Sequence, residues 1–112
     1  MAQFMLLIRG GNPDGEISPE EVQGIIQKYV KWAERLSTAG KLLASDKLHD
    51  SGRMVTANGG QIVDGPFTET KEAVGGYFTV EAASYDEAVS IARECPVFEH
   101  GGKVEVRQVE VH

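Results

Sequence analysis

Bulky apolar side chains run unbroken from Phe4 through Met5, Leu6 and Leu7 to Ile8, and the run stops at Arg9 and a Gly10-Gly11-Asn12-Pro13-Asp14-Gly15 stretch. A short run of this kind, closed by turn formers, predicts a strand buried on both faces. Ser18-Pro19-Glu20-Glu21 then carries the marks of a helix start. Ser18 offers a hydroxyl to the orphan amides, Pro19 suits the first helical position, and Glu21 closes a capping box. Val22, Ile25, Ile26, Tyr29, Val30, Ala33 and Leu36 recur at helical spacing, with Trp32 at the edge of the stripe and Gly40 as a left-handed stop. The apolar stretch over residues 41–49 predicts a second strand, and Asp50-Ser51-Gly52 a turn. Residues 53–57 and 60–63 flank Asn58-Gly59, a strong hairpin signal. Asp64-Gly65-Pro66-Phe67 breaks the chain, and residues 68–72 fit one helical turn or an ordered loop. Gly75-Gly76 leads into an alternating strand, Tyr77-Phe78-Thr79-Val80-Glu81. A second capping box, Ser84-Tyr85-Asp86-Glu87, opens a helix with a narrow stripe of Ala88, Ile91, Ala92 and Cys95, which Pro96 ends. Residues 97–102 read as a loop. Val104 and Val106 alternate with charges, whereas Val109 and Val111 continue in the opposite phase, predicting a bulge or a change of partner near Arg107-Gln108.

The order is strand, long helix, strand, hairpin, strand, short helix, strand. This predicts a single α+β domain over residues 1–112, with a ferredoxin-like split βαβ sheet and two helices on one face. Two helices cover one face only, yet Met5 and Leu7 are as apolar as their neighbours Phe4, Leu6 and Ile8. At roughly 25 cal/mol per Å² of apolar surface, a bare sheet face forgoes many kcal/mol. The simplest cover is the same face of a second copy, making a homodimer of the dimeric α+β barrel type; loops folding over the face are the alternative.

Composition narrows the field further. The 112 residues amount to one domain, and a net charge of −6 without any basic run argues against general nucleic-acid binding. One cysteine, Cys95, excludes an intramolecular disulfide and fits a reducing, cytoplasmic setting. The apolar start lacks the basic opening and small-residue cleavage site of a signal peptide, and no stretch is long enough to span a bilayer. His49, His100 and His112 have no ligand-type spacing, so neither a metal nor any other cofactor is expected; each reads as a surface histidine.

Chemistry concentrates in the segment from Asp64 to Tyr77. It sets Asp64, Glu69, Lys71, Glu72 and two threonines between the structure breakers Gly65, Pro66 and Gly75-Gly76. Stiff turns beside carboxylates suit a pre-organised polar site, and paired glycines let a backbone or ligand come close. The plainer reading is that Asp64 caps its turn and the charges are solvated. Elsewhere, Trp32, Tyr29, Phe67 and Tyr77 read as core or cavity wall, and Cys95 as a small core residue. Arg9 and Arg107 end their strands, where each could bind an anion or pair with a glutamate.

Asp64-Gly65-Pro66-Phe67, the Thr-Glu-Thr-Lys-Glu that follows and Gly75-Gly76-Tyr77 together resemble the DGPF signature of YCII-related proteins. The likeness extends to the opening strand, to Gly40-Lys41-Leu42-Leu43 and to Val104-Glu105-Val106-Arg107. The resemblance implies a bacterial, cytoplasmic, dimeric α+β barrel, from a family often encoded beside extracytoplasmic-function sigma factors. Enzyme-like members carry a His on the long helix and an Asp just before a Pro at the end of the second helix. Those positions hold Tyr29 and Cys95 here, which cannot reproduce a carboxylate-oriented imidazole near pH 7.

Three functions fit. In the first, the chain is a dimeric small-molecule-binding or regulatory domain, with Tyr29, Phe67, Glu69, Gly75, Gly76 and Arg107 as ligand-binding candidates. In the second it is a cofactor-free acid–base enzyme on a small organic substrate. Asp64 or Glu72 would then be the general base, with Lys71 or Tyr77 steadying developing negative charge. In the third it is an interaction module for a sigma factor, met through acidic surface.

Overall fold

The computed structural model describes residues 1–10, 18–49, 51–55, 62–65 (backbone only) and 73–111. Among these described residues, six strands and two α-helices follow in the order β1 (Ala2–Arg9), α1 (Pro19–Thr38), β2 (Leu42–Lys47), β3 (Gly52–Val55), β4 (Ile62–Gly65), β5 (Val74–Ala82), α2 (Tyr85–Ala92) and β6 (Lys103–Gln108). The main sheet has the antiparallel order β2-β5-β1-β6, which is the split βαβ arrangement, while β3 and β4 pair as a separate ribbon. The residues between β3 and β4, including Asn58-Gly59, lie outside the described set.

Local chemistry sets the helix ends. Ser18 Oγ accepts the Glu21 amide at 3.2 Å and Ser84 Oγ accepts the Glu87 amide at 3.2 Å, so both capping serines hold an orphan donor of the first turn. At the other end of α1, Gly40 has φ 73°. Its amide reaches Ser37 O and the Lys41 amide reaches Leu36 O, both at 2.9 Å, the double closure of a Schellman stop.

The core lies between the helices and one sheet face. Phe4, Leu6 and Ile8 of β1, Phe78, Val80 and Ala82 of β5, Trp32 and Leu36 of α1, and Ala88, Ile91 and Ala92 of α2 are all buried. The Trp32 and Phe78 rings lie 4.4 Å apart. Full burial of side chains such as Phe4 and Leu6 contributes about 1.5–3 kcal/mol each.

Four local readings change. Trp32, placed at the edge of its stripe, is 1% exposed and anchors α1, whereas Val22, Ile26 and Val30 are 37–48% exposed. The helix is roughly 30 Å long at 1.5 Å per residue, and only its second half lies on the sheet, so its apolar ridge outruns the core. Residues 97–102 are no plain loop: Pro96–His100 forms a 3₁₀ turn, Val97 is buried, and Gly101 closes the turn at φ 76°. No bulge occurs near Arg107-Gln108; β6 ends there and the Val109 amide continues the ladder to Gln3 O at 2.8 Å. Bulges occur instead at Ile8/Arg9 and Leu42/Ala44. His100, read as a surface side chain, has a buried Nε2.

Candidate functional site

Strand alternation sends Gln3, Met5, Leu7 and Arg9 to the sheet face away from the helices. Met5 pairs with Thr79 and Arg107, and Leu7 with Tyr77 and Glu105, so those side chains share this open face. Asp46 of β2 joins them, opposite Tyr77. Met5 and Leu7 form an apolar floor between two polar groups.

On one side, Tyr77 Oη donates to Asp46 Oδ2 at 2.9 Å. That hydrogen bond, and the carboxylate charge behind it, hold the phenol above its ordinary pKa. Tyr77 is therefore a neutral donor whose proton Asp46 already engages, and Asp46 keeps further lone pairs for another donor. On the other side, Arg9 donates through Nε (3.2 Å) and Nη2 (2.9 Å) to Glu105 Oε1, and Arg107 Nη1 donates to Glu105 Oε2 at 3.2 Å. Arg9 first, then Arg107, hold the Glu105 carboxyl below its ordinary range. A shallow cleft of about 200 Å³ opens there, lined by Arg9, Lys103, Val104 and Glu105.

Tyr77 and Arg107 thus stand on one face, on the strands that flank β1, one opposite Leu7 and the other opposite Met5, roughly 12 Å apart on the diagonal at about 4.8 Å per strand and 3.4 Å per residue. Gly75 alternates with Tyr77 and leaves the surface bare beside the phenol. Gly76 faces the other way. A Cβ there would stand 3.0 Å from Asp46 O, so its bareness lets β2 lie close on β5 and brings Asp46 within reach of Tyr77.

Tyr29 sits on the helix side of the sheet with Cys95. The two positions to which the resemblance assigns a His and an Asp come together: Cys95 Sγ lies 3.9 Å from Tyr29 Oη. Burial pushes the Tyr29 phenol well up, and the neighbouring sulfur adds to that; burial likewise pushes the Cys95 thiol up. Both groups keep their protons near neutral pH, so the pair offers neither a base nor a thiolate.

Asp64 lies in β4 opposite Arg53, on the ribbon. Phe67, Glu69, Lys71 and Glu72, together with His112, lie outside the described residues. No cluster of metal-ligand side chains occurs among the described residues, and none of their helices is long and apolar enough to cross a membrane. Asp46 and Glu105 did not stand out in the sequence. The bulge at Leu42/Ala44 resets the phase of β2, so alternation alone could not assign Asp46 to a face. An aspartate inside a strand, where the type is disfavoured, was the available signal.

A ferredoxin-like α+β domain with two helices on one sheet face and a partly polar face that no described helix covers on the other defines the class. Within it, the chain belongs to the YCII-related domain family, whose model matches residues 2–111. It is 32% identical over 78 residues to an uncharacterised protein of Rhizobium meliloti (strain 1021), a match that covers 66% of this chain and 57% of that one. In fold it resembles the 5-chloro-2-hydroxyhydroquinone dehydrochlorinase of Burkholderia phenoliruptrix AC1100, solved with 2,5-dihydroxybenzoquinone. That match has a TM-score of 0.50 and 20% identity, and covers 98% of this chain and 95% of the other.

Proposed function

We propose that the protein is a homodimer, closed through the open faces of its two sheets, that binds a small hydroxylated ring between them. The observation that carries this reading is the open face itself: an apolar floor of Met5 and Leu7 between the Tyr77–Asp46 pair and the Arg9–Glu105–Arg107 cluster. Met5 and Leu7 would lie against the ring. Asp46, with lone pairs left over, would accept from a hydroxyl at one rim, and Arg107, whose side chain is 68% exposed, would donate to an oxygen at the other.

Met5 and Leu7, apolar side chains on a sheet face that no described helix covers, support the dimer. The fold neighbour, solved with 2,5-dihydroxybenzoquinone, supports the view that this fold can hold a small oxygenated ring. The likeness is one of fold, and the ligand class for this chain rests on its own open face.

Tyr29 and Cys95, both protonated near neutral pH, would supply no base or thiolate for turning such a ligand over. The test is a thermal-shift and calorimetric screen of hydroxylated benzenes and benzoates. A binder should raise the melting temperature with the logarithm of ligand concentration above its dissociation constant, and Asp46→Asn should weaken binding about 10-fold or more, because a hydrogen bond to a charged group is worth roughly 1.5–3 kcal/mol. A screen without shift or heat would overturn the binding reading.

A further inference from the structure

We infer that the β3–β4 ribbon is an arm that grips the second copy of the chain, an inference that rests on the dimer proposed above. The ribbon stands apart from the body. β3 and β4 pair in register, Gly52 with Gly65 through Val55 with Ile62, yet they pack on each other far more than on any other described element. The molecule is correspondingly flat and spread, 45 × 44 × 18 Å with a radius of gyration of 15.5 Å, against about 13 Å for a compact chain of this length.

An isolated two-stranded ribbon is at best marginally stable in water. This one is also apolar where it should be polar. Met54 is 48% exposed and Val55 66% exposed, and as strand neighbours they point to opposite faces. Both faces of β3 therefore carry an apolar side chain left uncovered among the described residues. A second copy closed on the sheet face would cover the arm as well, because the arm roots at the rim of that face.

Reach and root agree with this occupant. Four residues per strand span roughly 13 Å, enough to cross the ~10 Å between two facing sheets. The arm leaves the body just after β2, where the Leu48 amide bonds Gly75 O at 2.9 Å, two residues beyond Asp46 and beside Tyr77. It thus roots at the rim of the face proposed to close the dimer. In a two-fold pair each arm embraces the other body, and the contact occurs twice.

The test uses the full chain. Sedimentation should give a dimer for the wild type and a dissociation constant at least 10-fold weaker for the double variant Met54→Asp, Val55→Asp. Circular dichroism should stay unchanged, because both sites are already exposed. A second measurement needs no variant. Hydrogen exchange of wild-type protein diluted below its dissociation constant should show the amides of β3 and β4 losing protection while those of β1 and β5 keep theirs. If the wild type is a monomer at every concentration, the underlying dimer is wrong and the arm falls with it. If the wild type dimerises but the double variant dimerises equally well, or the ribbon amides stay protected on dilution, the arm alone is wrong and the sheet-face dimer stands.

Discussion

At Cys95 the side chain is 3% exposed, and burial raises the pKa of its thiol; the Tyr29 phenol at 3.9 Å is raised for the same reason. The sign of the linkage follows. A group whose folded pKa lies above its unfolded value stabilises the fold fully below the unfolded value, about 8.5 for a free thiol, and that contribution is lost as pH rises through the folded pKa. The pair therefore adds no pH dependence between pH 6 and about 8, and stability should begin to fall on the alkaline side. A protonated, buried thiol is also a poor nucleophile. Iodoacetamide at pH 8 should alkylate Cys95 at least ~10-fold more slowly in the native protein than in urea, read by mass spectrometry. Equal rates would mean that the thiol is exposed or ionised and would reopen catalysis at this position.

Among the elements, β2 shows what sequence patterning can and cannot supply. Gly76 is buried with its missing Cβ pointing at Asp46 O, 3.0 Å away, whereas a Cβ at Gly75 would meet nothing nearer than Ile8 O at 4.0 Å. Gly76→Ala should push β2 outward, cost about 1–3 kcal/mol as overpacking does, and lengthen the Tyr77–Asp46 bond. Gly75→Ala should cost less than about 1 kcal/mol. Urea titrations of the two variants check the contrast, and spectrophotometric titration of the variants should show the Tyr77 phenol falling back towards its ordinary pKa in Gly76→Ala only. The adjacent glycines were visible in the sequence as a place of close approach, but which of them needed its bareness was not. That depends on the strand that lies alongside, and β2 reaches its register through a bulge that no residue type announces. Elements with a local cause were legible: Ser18, Ser84 and Gly40 mark helix ends through bonds made within a few residues, whereas α2 stops at Ala92, short of Cys95, and Pro96 opens the 3₁₀ turn instead. The buried face of α1 was not, because all of its apolar ridge has the right period and only the sheet's extent decides that Trp32 and Leu36 are covered while Ile26 and Val30 are left out. The open-face site was half legible for the same reason. Tyr77 and Arg107 could be picked out as polar groups near strand ends, but Asp46 and Glu105 acquire meaning only through pairing across the sheet.

For the whole molecule, neighbouring residues of one strand separate folding from assembly. Leu6 is fully buried beneath the helices, so Leu6→Asp places an unpaired carboxylate in the core of a single chain and should abolish folding. Leu7 points to the open face, where it is only half-buried in one copy. Leu7→Asp should therefore leave the helix content and the Trp32–Phe78 packing intact, as circular dichroism and tryptophan fluorescence would report. If the open faces meet, the same substitution puts a charge inside the interface, flanked by Glu105 on β6, and the dimer should weaken more than 100-fold. Assembly linked to folding also makes the melting temperature rise with protein concentration in the wild type and not in Leu7→Asp. A Leu7→Asp protein that sediments as a dimer with unchanged affinity would place the interface elsewhere, and the ring site bounded by Asp46 and Arg107 would then be open to solvent rather than enclosed between two sheets.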